Sequence, residues 1–157
     1  MNILFYAPEY RPNLSNMIRS AEFFGFKKVY IYDKNNLLNP PKNNKTSRAE
    51  MNHLAKVWTA GAIEHIEICN IENPTEFIHS YSGRVIGTLV DKQAIHLQDF
   101  SFQKEDLIVM GSEKEGLPET LEKLMTESIY IPQRGVTNCL NVSVTLGIIL
   151  HEALKNF

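Results

Sequence analysis

The sequence predicts an α/β protein: a mainly parallel sheet with helices on both faces. Short apolar, strand-like runs alternate with segments of helical period along the whole chain, as where helical crossovers join neighbouring strands. In addition, two late stretches punctuated by Gly and Asn, GSEKEGLP at 111–118 and IPQRGVTNCLNVSVTLGIILHEAL at 131–154, each follow such a run directly. That is where an α/β protein forms its ligand crevice. At 157 residues the chain is expected to be one domain, 1–157, able to bury a core.

Residues 2–7 (NILFYA) read as a short buried strand. After a Pro-bearing loop, Leu14, Met17, Ile18, Ala21 and Phe24 recur with helical period over 13–25, and Gly25 ends that helix. A second strand spans 29–32, and the Asn-, Pro- and Lys-rich run DKNNLLNPPKNNK after it is a surface loop. Glu50, three residues after Ser47, gives capping-box spacing for a helix from Thr46 or Ser47 to about Lys56. A strand at 63–69, a helix starting near Pro74 and a strand at 84–90 follow. Residues 107–110 form another buried strand, and Pro118 is expected in the first turn of a helix. A strand at 128–131 and an amphipathic helix at 142–154 complete the series.

Sixteen basic against eighteen acidic residues give a formal net charge of −2, so any RNA contact has to come from a local patch. Cys69 and Cys139 lie far apart without zinc or redox spacing, which points to reduced thiols in a cytosolic protein. His53, His65, His79, His96 and His151 are scattered, giving a metal little support. The N-terminal apolar run meets Pro8 too soon for a signal-peptide core, so the sequons at Asn13, Asn44 and Asn141 carry no expectation of glycosylation. No G-x-G-x-x-G follows the first strand and no G-x-x-x-x-G-K-[ST] occurs. The crevice is therefore expected from C-terminal segments, where Gly111, Gly116 and Gly135 allow tight turns and close backbone approach.

Three blocks, NLSNMIRSAEFFGF at 13–26, LIVMGSEKEGLP at 107–118 and IPQRGVTNCLNVSV at 131–144, occur in order on strand-to-loop junctions. Together they resemble the SpoU or TrmH-type branch of the SPOUT superfamily, RNA methyltransferases acting on the ribose 2'-hydroxyl of tRNA or rRNA. The resemblance frames nearly the whole chain and is to the minimal forms of that branch. It implies S-adenosyl-L-methionine as cofactor, no metal, a C-terminal deep trefoil knot, and a cytoplasmic homodimer.

By match to these blocks, Asn13, Arg19, Glu113 and Asn141 are the expected catalytic residues. A guanidinium grips a phosphate bidentately, so Arg19 is expected to fix the ribose; acting as a base requires a strongly perturbed site. Without the motif, Arg19 reads as a solvated or ion-paired residue at a helix edge. Glu113 can accept from the hydroxyl, hold a partner side chain or orient a loop, whereas Lys114 and Glu115 read as solvated loop charges. The resemblance implies a cofactor pocket of Thr88 and Leu89 on one wall, with Gly111, Glu113, Gly116, Ile131, Cys139 and Leu140 completing it.

The family has Ser-Leu-Asn where this chain has Cys139, Leu140 and Asn141. A thiol is the poorer hydrogen-bond partner, and as a nucleophile Cys139 lacks an accompanying histidine and acid. Asn141 is expected to fix the turn into the last helix, either as its N-cap or by binding across the knot. Arg11, Arg19, Arg48 and Arg134, with Lys42 and Lys45, are candidate RNA phosphate ligands. Lys27 and Lys28 read as a solvated helix end, and Phe23, Phe24 and Trp58 as core. Two rival functions remain: a catalytically silent knotted RNA-binding dimer, which Cys139 suggests, and a base-nitrogen methyltransferase, against which NLSNMIR argues.

Overall fold

The computed structural model describes residues 1–38, 59–91 and 93–157. Its strands are β1 (Asn2–Tyr6), β2 (Lys28–Tyr32), β3 (Glu67–Asn70), β4 (Val85–Thr88), β5 (Ile95–His96), β6 (Leu107–Met110) and β7 (Glu127–Tyr130). They form one sheet in the order β3-β2-β1-β6-β4-β7-β5, parallel at every pairing. The helices are α1 (Arg11–Phe23), α2 (Pro74–Ser80), α3 (Glu119–Glu122) and α4 (Val142–Ala153).

β6 is apolar at every position because both of its faces are buried. Ile108 and Met110 join Ile3, Phe5 and Ile86 under Leu14, Met17, Ile18 and Ala21 of α1 and Leu146, Ile149 and Leu150 of α4. Leu107 and Val109 face the other way, with Leu4, Val85, Ile78, Leu117 and Leu121. From β1 the chain steps outward to β2 and β3, then begins the other half of the sheet at β4, with β6 inserted between. The strand order reverses beside β1, so the carboxyl ends of β1, β6 and β4 border the crevice. β7 enters between β4 and β5, after which α4 returns to pack on α1.

At the foot of the sheet Arg84 holds Asp106 bidentately, Nε to Oδ1 at 2.9 Å and Nη2 to Oδ2 at 2.7 Å. The amide of Gln103 donates to the same Oδ2 at 2.7 Å, so the buried carboxylate is fully paired. Its hydrogen bonds push the Arg84 guanidinium above its ordinary value.

Several elements differ from expectation. α1 begins at Arg11 rather than 13, with Pro12 in its first turn, where a missing N–H costs nothing. The strand expected over 63–69 starts only at Glu67, because Gly61, φ +82°, leads into a 3-10 turn at Ala62–Glu64. Pro118 is extended, φ −70° and ψ 148°, and stands just before α3 instead of inside it. The strand expected at 128–131 lies one residue earlier, and β5 was not expected at all.

Lys28 belongs to β2, its ammonium 5.1 Å from the Tyr30 ring centroid, and is no helix end. Phe23 is 79% exposed rather than core, since it falls off the stripe of Leu14, Ile18 and Ala21 that faces the sheet. The helix expected to about Lys56, and with it Lys42, Asn44, Lys45, Arg48, His53 and Trp58, lies outside the described residues.

Candidate active site

β1 runs into Ala7, whose φ of +47° is left-handed for a residue with a side chain. This turn aims the next amides at the loop following β6. There, Glu113 Oε2 accepts from Glu9 N at 2.7 Å, while Oε1 accepts from Tyr10 N at 3.2 Å and Asn13 Nδ2 at 3.0 Å. Tyr10, the N-cap of α1, offers no side-chain cap. Glu113 therefore places its carboxylate at the positive end of that helix and satisfies donors that the helix leaves open.

The chain of bonds continues: Asn13 Oδ1 accepts from Asn141 Nδ2 at 3.0 Å. Asn141 Oδ1 in turn accepts from Ser143 N at 2.9 Å and Ser143 Oγ at 2.7 Å, capping α4 as expected. Residues from all three blocks thus form one hydrogen-bonded series, Glu113–Asn13–Asn141. Of the roles open to Glu113, this geometry favours orienting a loop, because three N–H groups of the chain already occupy the carboxylate.

The same two loops meet again through Glu9. Lys114 N donates to Glu9 Oε1 at 3.2 Å, and Lys114 Nζ lies 3.1 Å from Oε2 and 5.6 Å from the Tyr10 ring centroid. Lys114 is therefore not a plain solvated charge, although Glu115 is exposed as expected. The Lys114 hydrogen bond holds the Glu9 carboxyl below its ordinary value, and Glu9 raises Lys114.

Ser112 and Gly116 close the GSEKEG loop by exchanging backbone hydrogen bonds of 3.0 and 3.1 Å. Gly116 sits at φ +67°, and a Cβ on Gly111 would stand 2.4 Å from the carbonyl carbon of Gly116. Both positions demand glycine. Gly135 does not: it avoids the left-handed region, and a Cβ there meets nothing within 4 Å.

Two adjoining hollows of about 250 and 620 Å³ share Thr88, Leu89, Val90, Cys139, Leu140 and Thr145. The first extends to Ile131, Gln133 and Arg134 over an apolar floor of Leu97, Ile129 and Ile149. The second extends to Gly111, Glu113, Gly116, Asn13 and Asn141. All the expected pocket residues are thus brought together. Thr88 Oγ1 donates to Val109 O at 3.0 Å, fixing the end of β4 against β6.

Among the described residues, no backbone-to-backbone hydrogen bond joins residues 132–140. Instead Gln133 Nε2 donates to Gly135 O at 2.9 Å and to Thr137 O. Glu9, Gln133, Val90 and Thr145 escaped the sequence reading. Nothing in a loop residue's identity announces a partner a hundred positions away.

Arg19 is not in this cleft. It is exposed and borders another hollow with Asn16, Ser20, Phe23, Ser143 and Val144. Arg11 Nε donates to Leu37 O at 3.3 Å, tying α1 to the segment after β2. Cys139 is an exposed free thiol. Among the described residues, no group of three His, Cys, Asp or Glu side chains is placed to hold a metal, and no helix is long and apolar enough to cross a membrane.

The model of the SpoU rRNA Methylase family matches residues 1–151. The chain is 31% identical over 144 residues to the 23S rRNA (guanosine-2'-O-)-methyltransferase RlmB of Acinetobacter baylyi, covering 91% of this chain but 54% of that protein. It thus spans about half the length of that relative. It is 26% identical over 153 residues to the tRNA (cytidine(34)-2'-O)-methyltransferase of Beijerinckia indica, covering 98% of this chain and 89% of that one. The solved SpoU methyltransferase AviRb from Streptomyces viridochromogenes, in complex with the cofactor AdoMet, superposes with a TM-score of 0.75 at 22% identity, over 99% of this chain and 57% of that chain. With the parallel sheet and the three joined blocks, a family match running from Met1, just before β1, into the last turn of α4 leaves one assignment: the chain belongs to the SpoU rRNA Methylase family.

Proposed function

We propose that the protein is an S-adenosyl-L-methionine-dependent methyltransferase acting on a ribose 2'-hydroxyl of tRNA or rRNA. The observation that carries this reading is the Glu113–Asn13–Asn141 series at the mouth of a partly apolar cleft. The relatives named as 2'-O-methyltransferases support it.

The cleft fits such a cofactor: Leu89, Ile131 and Leu140 offer apolar walls for a purine, and the carboxylate and amides at the mouth offer polar partners. When bound, the cofactor supplies an electrophilic methyl group. Glu113 holds the β1–α1 loop, and through it Asn13, in place. Asn13 and Asn141 each keep spare hydrogen-bond capacity with which to orient the ribose. Arg19 supplies a planar fork for the phosphate. Alignment by these groups provides most of the acceleration.

Arg19 lies outside its own chain's cleft and borders a hollow with two exposed apolar side chains, Phe23 at 79% and Val144 at 49%. This supports a homodimer in which Arg19 serves the cleft of the partner subunit. The insertion of β7 between β4 and β5, followed by the return of α4 to α1, supports the knot. A single methyltransferase domain over 1–157, working in the cytoplasm without a metal, belongs to the same reading.

Purified protein is to be incubated with methyl-labelled cofactor and RNA from cells lacking it, followed by nucleoside mass spectrometry. Label on ribose oxygen is expected. Label on a base nitrogen, or no cofactor binding by calorimetry in the presence of a chelator, overturns the proposal.

A further inference from the structure

β1 and β2 end in tyrosines that are register partners, Tyr6 with Tyr32. Their rings lie 5.4 Å apart at 33°, and both are half-exposed. Alternation puts Tyr6 on the same face as Leu4, which packs with Ile78, Leu117 and Leu121, away from α1 and α4. One step back along β2, α2 closes that face by setting Phe77 4.6 Å from Tyr30. Among the described residues, neither the Tyr6 nor the Tyr32 hydroxyl makes a hydrogen bond.

These rings stand at the carboxyl ends of the strands, the edge on which the cleft opens. From Tyr6 the chain passes through Ala7 and Pro8 straight into Glu9, Tyr10 and Asn13. Burial, then Tyr32, then the charge of Glu115 push the Tyr6 phenol above its ordinary value. The Asp33 carboxylate accepts from the amides of Leu37 and Leu38 at 2.8 Å each, whereas Glu115 has no ion pair among the described residues.

Two aromatic rings side by side on adjacent strands offer π-faces on which unstacked RNA bases lie, whatever their identity. We propose that Tyr6 and Tyr32 form a stacking platform for an unpaired nucleobase flanking the target ribose. The inference rests on the RNA methyltransferase reading and adds a base-tolerant contact beside the target.

The test is fluorescence anisotropy with single-stranded oligoadenylate, oligocytidylate, oligouridylate and an abasic ribose-phosphate oligomer, together with methyl transfer to RNA from cells lacking the protein. Y6L/Y32L should lose about tenfold or more in affinity for base-bearing oligomers and nothing for the abasic one. Y6F/Y32F should match the parent. Retained cofactor binding by calorimetry reports that each variant is folded; if Y6L/Y32L fails this check, Tyr32→Leu alone is compared with Tyr32→Phe. Parental RNA affinity and KM in the leucine variant overturn the platform while leaving the methyltransferase reading intact. A parent protein that neither binds nor methylates any RNA overturns both.

Discussion

Asn13 stands between two partners that need opposite things from it. Its Nδ2 donates to Glu113 and its Oδ1 accepts from Asn141, each at 3.0 Å, and the side-chain amide does both at once from separate atoms. Asn13→Asp sets carboxylate against carboxylate, and Asn13→Leu leaves both partners unmet. Each is expected to slow single-turnover methyl transfer by about 100-fold, because a small misplacement at the reacting centre costs that much. Cofactor affinity, read by calorimetry, is expected to stay. A second prediction concerns Glu9. A carboxyl whose pKa is lowered in the folded state adds stability that is present above its unfolded value, about 4.3, and is lost as pH falls through the folded value. The tie between the two loops should therefore loosen only below about pH 4. Hydrogen exchange at the Lys114 amide should show it, and Glu9→Gln should remove that acid-dependent step.

At the scale of elements, the Arg84–Asp106 pair joins the start of β4 to the end of the loop entering β6. Its two halves are unequal: the Asp106 side chain is 1% exposed and that of Arg84 25%. Arg84→Met strands a buried charge and should cost about 3 kcal/mol in urea unfolding. Asp106→Asn should cost less, since the guanidinium can turn to water. If the two variants unfold alike, the asymmetry is wrong.

Neither residue drew notice in the sequence, and the reason is general. The apolar run of β6, the period of α1 and the cap at Asn141 are local patterns, so their elements were legible to within a residue or two. β5, with two residues, is too short to show a period. Asn13, Glu113 and Asn141 are legible only as members of the family's blocks, while the bonds joining them span 100 and 128 positions and leave no local pattern. Glu9 carries no pattern at all. The helical phase of Phe23 sets it off the apolar stripe of α1, whereas its hydrophobicity alone suggests the core.

At the scale of the molecule, Phe23, Val144 and Ile148 stay exposed, with no cover among the described residues. Gly147 lies between the last two, and a Cβ there meets nothing within 4 Å, so this stretch of α4 is open to another backbone. Ile148→Asp is expected to yield a monomer by sedimentation, with methyl transfer lost and the fold kept. An Arg19→Ala subunit mixed with a Gly111→Val subunit should regain activity, because one of the two composite clefts is then whole. Mixed dimers that form and stay inactive place Arg19 and the cleft within one chain.

The seating of β6 between β1 and β4 also has a consequence in time. β1 is made first, but its register partners for Asn2 through Phe5 are Leu107 through Met110. At roughly 5–20 residues per second, synthesis leaves this strand without its central neighbour for on the order of 5–20 seconds. A nascent chain arrested before β6 holds an apolar ribbon, Ile-Leu-Phe, with one edge open, and pairings so distant in sequence form slowly. The molecule is thus most exposed to aggregation on the ribosome, and helpers that shield short apolar strands should matter to its yield more than any change on its finished surface.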